Sequence, residues 1–161
     1  MTAAVLWLRP NGVSPAEELL AQKFDLRVVR HAEPLELPPS CDVIAQGQRA
    51  SEAAWLAAQQ PERVQQLVLV SPEPDSELLA GANEIGCLTL IVQGSHDQSS
   101  AGRELRTRIP SSYLAYVYGA GPEVDADKPA RFAGLVAEFL TRGEAFIINW
   151  NEENVWEPSR T

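Results

Sequence analysis

Cysteine and histidine are scarce in this sequence, two of each among 161 residues. Cys41 and Cys87 are too few for the cross-linked framework of a small secreted scaffold. His31 and His96 stand far apart, with no His-x-x-x-His spacing and no clustered cysteines, so no metal site is expected. Positive charge is also short: Lys plus Arg number 13 against 22 Asp plus Glu, a formal charge of −9. An acidic surface repels phosphate backbones, which argues against nucleic acid as a partner, and no basic cluster is present to hold an anionic membrane. Apolar runs are brief. Leu67–Val70 and Ala145–Ile148 are typical, far below the ~20 residues of a membrane span. The start, Met-Thr-Ala-Ala-Val-Leu-Trp-Leu-Arg, has no basic residue ahead of its short apolar stretch, so no signal peptide is expected. No Asn-x-Ser/Thr site occurs. A reducing cytoplasm is the expected setting.

What is present is ordinary globular composition, 45% hydrophobic and 22% charged, over a length that suits one domain. No fixed-period repeat or low-complexity tract interrupts it. Short β-branched or Leu-rich runs alternate with helix-like stretches. Strands are expected at Ala4–Leu8, Leu26–Arg30, Asp42–Gln46, Gln66–Ser71, Leu88–Val92 and Tyr113–Val117. The first helix starts at Ser14-Pro15, where Glu17 completes a capping box, and runs to about Gln22. Further helices are expected at Arg49–Gln60, Asp75–Asn83, Ala101–Arg108 and Pro129–Thr141, while the Pro-rich stretch His31–Ser40 reads as a loop. This alternation predicts an α/β fold: three layers around a mostly parallel, doubly wound sheet of about six strands. The recognisable domain covers residues 1–142. Residues 143–161 form a tail that mixes Phe146, Ile147, Ile148, Trp150 and Trp156 with Glu152, Glu153 and Glu157.

Asp42 to Pro72 resembles the α/β-hydrolase family. Pro61-Glu62-Arg63-Val64 and Leu67-Val68-Leu69-Val70-Ser71-Pro72 match the segment that follows the family's Gly-x-Ser-x-Gly elbow and its helix. Leu88 to Asp97 is similar to the strand and loop that deliver the family's acid. Gly119-Ala120-Gly121 and the helix through Phe139-Leu140 are similar to the segment that delivers its histidine. The resemblance spans residues 4–142 and implies a trimmed core with strand order 2-1-3-4-5-6 and no lid, since only Pro72-Glu73-Pro74 stands where the family inserts one.

The resemblance also implies a catalytically degenerate member. The elbow falls on Ala45-Gln46-Gly47-Gln48-Arg49, so the nucleophile position is Gly47, which has no side chain. The bulky Arg49 in place of a glycine implies a relaxed or re-routed turn. The histidine position is Pro122, and only Asp97 stands where the family keeps its acid. Ser95-His96-Asp97 contains the three triad residue types, but contiguous residues do not converge as a triad must, and the stretch reads as a polar loop. Gly119-Ala120-Gly121-Pro122 lacks the third glycine of a dinucleotide loop, so no cofactor is expected.

The sheet order implied by the resemblance reverses between strands 1 and 3, and ligand crevices open at such a point beyond the strands' carboxyl ends. Arg9, Asn11, Gly47, Gln48, Arg49 and Asp97 are the candidate ligand-binding residues there. The leading expectation is a non-catalytic hydrolase-like protein that binds a protein partner or a small molecule in the remnant crevice. Two alternatives stand beside it. One is an active hydrolase with a relocated site, with Ser71 and His96 as its candidates. The other is an auxiliary domain of a larger assembly, docking or self-associating through the 143–161 tail.

Overall fold

The computed structural model describes residues 4–10, 12–30 and 35–146. Six strands form one sheet: β1 (Ala4–Leu8), β2 (Asp25–Val29), β3 (Cys41–Gln46), β4 (Val64–Val70), β5 (Leu88–Gly94) and β6 (Ser112–Val117). Their order is β2-β1-β3-β4-β5-β6. Every neighbouring pair is parallel. The helices are α1 (Ala16–Ala21), α2 (Ala50–Gln59), α3 (Ser76–Gly81), α4 (Ala101–Arg108), α5 (Val124–Asp127) and α6 (Pro129–Arg142). Residues 35–40 form no helix or strand, in keeping with their prolines. The acidic four-residue α5 carries no periodic signal, and sequence reading misses it.

The sheet is covered on both faces, which is why all six residues of β3 are buried. On one face α1, α5 and α6 bring Leu20, Val124, Phe132, Val136 and Phe139 against Val5, Trp7, Ile44 and Val68. On the other, α2, α3 and α4 bring Ala53, Leu56, Leu78 and Leu105 against Leu6, Val43, Leu69 and Ile91. The α2 contact is built from alanine, with Ala50, Ala53, Ala54 and Ala57 all buried. Such small side chains let the helix lie close to the strands.

The Glu17 half of the expected capping box forms, while the Ser14 hydroxyl takes the N–H of Ala16 and the helix begins at Ala16. Ser14 N donates to Glu17 Oε2 at 2.8 Å, and Ser14 Oγ accepts from Ala16 N at 3.2 Å. At the other end of the fold, Gly143 takes a φ of +56° and stops α6. Phe146 then turns back into the core and meets Phe139 edge-on, with centroids 6.0 Å apart. The apolar packing therefore extends past residue 142. The rest of the tail lies outside the described residues.

Cys41 and Cys87 are free; Cys41 begins β3 and Cys87 precedes β5, two strands separated by β4. Burial pushes the Cys41 thiol up to about 11, with the Asp42 carboxylate adding to the effect, and burial also raises Cys87. Among the described residues no helix is long and apolar enough to cross a membrane.

Candidate functional site

The sheet reverses between β1 and β3, where one polar residue follows the first strand and another closes the second. Arg9 follows β1 and Gln46 closes β3; they are 7% and 8% exposed. Arg9 Nη1 donates to Gln46 Oε1 at 2.7 Å and to Asp125 Oδ2 at 2.8 Å. Gln46 Nε2 donates to Asp125 Oδ1 at 2.6 Å, closing a three-residue ring of bonds. The guanidinium lies over the Trp7 indole, 4.9 Å from its centroid. Arg9 Nε is 3.4 Å from Glu17 Oε2, an ion pair without an aligned hydrogen bond. Glu17 also accepts from Arg30 Nη2 at 2.7 Å. Two guanidinium groups thus face two carboxylates, so the buried charge is balanced. Arg9 is committed to the floor beneath the crevice. Asp125 is the residue that sequence reading missed; the available signal was the need of an arginine ending a buried strand for a carboxylate.

Beyond β3 the chain turns sharply through Gly47, whose φ is +62°. A short 3-10 turn, Gly47–Arg49, leads directly into α2. This is not the relaxed or re-routed turn expected from the bulk of Arg49: the chain passes through a positive-φ apex directly from β3 into α2. Arg49 does not obstruct it, because its side chain leaves the turn. Nη1 donates to Arg9 O at 3.0 Å and to Val29 O, and Nε and Nη2 bind the Glu52 carboxylate. Arg49 thereby ties the ends of β1 and β2 to the start of α2. The turn itself is tied to the loop after β4, where Glu73 N donates to Gly47 O at 3.0 Å. A Cβ at position 47 would lie 3.1 Å from Glu73 Oε2. A carboxylate therefore stands beside the elbow.

The other candidates spread along the same carboxyl edge. Gln48 is exposed, and Asn11 lies outside the described residues. Asp97, half-buried after β5, accepts from Ser99 N at 3.0 Å and so shapes its own loop. His96 is exposed and its N–H donates to Ala120 O, while Ser95 Oγ accepts from Gly119 N. The three contiguous polar residues thus hold turns and form no bond with one another. Pro122 is exposed, and its carbonyl accepts from Ser71 Oγ at 2.6 Å. Among the described residues Ser71 is the non-glycine residue with a positive φ, 44°. No group of three or more His, Cys, Asp or Glu among them is arranged to hold a metal.

A comparison with solved structures finds the same architecture. A predicted CIB-like hydrolase from Thermoplasma acidophilum superposes with a TM-score of 0.72 at 18% identity, over 86% of each chain. The enol-lactonase from Burkholderia xenovorans gives 0.71 at 14% identity, over 88% of this chain and 93% of the other. An α/β-hydrolase enzyme from a lagoon-sediment metagenome gives 0.73 at 14% identity, over 88% and 92%. This chain has the α/β-hydrolase fold. No protein-family model and no curated protein matches it. The turn at Gly47 stands where the sequence resemblance places the family's elbow, with glycine at its apex and Arg9, Gln46 and Asp125 bonded beneath it.

Proposed function

We propose that this α/β-hydrolase-fold protein acts by binding a protein partner along the carboxyl edge of its sheet and does not carry out acyl transfer at the elbow. The observation that supports this reading is an elbow with left-handed backbone and glycine at its apex. Acyl transfer needs an atom that attacks and a base that takes its proton. Position 47 supplies no attacking atom, Pro122 supplies no base, and Asp97 is spent on its own turn. Beneath the elbow the buried Arg9–Gln46–Asp125 ring fills the space an enclosed substrate would need. What remains is an edge carrying Gln48, Glu73 and Pro122, exposed at the ends of β3, β4 and β6. An edge of this kind suits a partner surface better than an enclosed small molecule.

A second reading, an active hydrolase with a relocated site, is favoured by Ser71. Positive φ at a non-glycine residue is strained, and such strain collects at functional positions. One experiment separates the two. The protein is treated with a fluorophosphonate probe for activated serines, and aryl-ester turnover is measured against a heat-denatured control. The expected result is no labelling and background turnover. Labelling at Ser71, with turnover lost in Ser71→Ala, overturns the binding reading in favour of the second.

A further inference from the structure

The groove between α2 and α3 carries a feature that neither the fold nor the elbow requires. α2 buries its alanine face on the sheet and presents Trp55 outward, 60% exposed. Beside the indole is a recess of about 90 Å³ floored by Ala54, Ala58 and Leu78. Its rim holds the carboxylates of Asp75, Glu77 and Glu84. Asp75 Oδ1 caps α3 by accepting from Leu78 N at 2.8 Å, whereas among the described residues Glu77 and Glu84 have no ion-pair partner. The floor is thus apolar and aromatic, and the rim carries uncompensated negative charge on a chain already at −9.

We propose that this groove docks an arginine side chain presented by a partner protein. The recess is smaller than the ~150 Å³ apolar cavity that takes a benzene ring, so it suits the end of one side chain and not a whole metabolite. A guanidinium lies flat on an indole and still offers its edge N–H groups to carboxylates, which an ammonium does less well. The core contains the same arrangement: Arg9 lies over Trp7 with Asp125 and Glu17 at its edges. An exposed Trp beside unpaired carboxylates is one half of that arrangement, facing outward. The chain's own residues 147–161 fit poorly as occupant, since Glu152, Glu153 and Glu157 outnumber the single Arg160. The groove is separate from the elbow, so the proposal stands whether or not the carboxyl edge is catalytic.

The test follows the Trp55 indole N–H resonance by NMR, assigned by its loss in Trp55→Phe. The intact protein is titrated with acetyl-Gly-Arg-Gly amide and with its lysine and citrulline counterparts. The arginine peptide is expected to shift the resonance saturably at low-millimolar concentration, the lysine peptide to bind several-fold more weakly, and the uncharged citrulline peptide not to bind. Glu77→Gln with Glu84→Gln should weaken the arginine peptide several-fold and flatten its salt dependence. These are exposed positions, and an unchanged melting curve will show that the fold is intact. No shift at about 10 mM arginine peptide, or equal shifts from arginine and citrulline, overturns the proposal. A shift that grows with protein concentration alone, with dimers in light scattering, overturns the partner assignment in favour of a second copy of the chain.

Discussion

Arg9 and Asp125 are 116 residues apart in the chain, and their side chains meet at 2.8 Å beneath the elbow. The contact ties the end of β1 to the short helix α5. It lies at the sheet's reversal, beyond whose strand ends ligand crevices open in doubly wound sheets.

Removing one member of that pair leaves the other charged and buried. Asp125→Ala should therefore lower stability by about 3–5 kcal/mol. Replacing both, Arg9→Met with Asp125→Leu, should recover only part of the loss, because no orphaned charge remains but the buried Gln46 amide loses both of its partners. Urea unfolding of the two single variants and the double variant checks this. Additive losses in the double variant would show that the two residues act independently.

Asp42 lies at the opposite end of the sheet, 5% exposed. Burial raises its carboxyl from the ordinary 3.8 to about 6, against the opposing influence of a hydrogen bond from Gln66. Between those two values the native state holds a proton that the unfolded chain has released. Stability should therefore fall as pH rises from about 4 to 6, by at most about 3 kcal/mol. Asp42→Asn keeps the shape, removes the titration and should raise the melting temperature at pH 7. Melting curves across this window, compared between the two proteins, give the answer. A melting temperature for Asp42→Asn at or below that of the parent at pH 7 would contradict the assignment.

Gly47 at +62° sets a limit on building a serine nucleophile into this turn. Gly47→Ser should cost about 1–2 kcal/mol, since any L side chain is strained there. The double variant Gly47→Ser with Pro122→His should show little esterase activity. Glu73 Oε2 stands 3.1 Å from the new Cβ, and its charge opposes the oxyanion that acyl transfer develops. Adding Glu73→Gln should raise turnover by roughly tenfold, which is about 1.4 kcal/mol at the transition state. Aryl-ester kinetics of the double and triple variants decide the matter, and equal rates would exclude a role for Glu73.

Gly94 ends β5 where the backbone before α5 passes over it. A Cβ there would lie 2.1 Å from Ala120 O, and backbone cannot move aside as a side chain can. Gly94→Ala should lower stability by about 2–3 kcal/mol. It should also weaken amide-exchange protection of His96 N–H, which donates to that same carbonyl. A fully stable Gly94→Ala protein would show that this crossing is looser than its geometry.

The sheet was legible in the sequence because it rests on local signals. Leu67–Val70 and Leu88–Val92 are apolar runs of strand length, Ser14 and Glu17 mark a helix start, and Pro61 marks a helix end. The strand order and the place of the elbow at Gly47 followed from the resemblance those runs carry. The behaviour of Arg49 did not follow. The bulk of Arg49 suggests an obstruction inside the turn, whereas its side chain reaches out to the carbonyls of Arg9 and Val29, two strand ends that only folding brings beside it. Asp125 was hidden for the same reason, since α5 has no periodicity and its partner is 116 residues away. By itself the sequence determined which segments become the six strands and the longer helices, though not α5, and that position 47 has no side-chain nucleophile. The tertiary structure alone decided that the turn at Gly47 has a positive-φ apex, that buried charge lies beneath it and that Trp55 faces outward beside unpaired carboxylates. The first set depends on propensity and pattern within a few residues, and the second on side chains that meet only after the strands are paired.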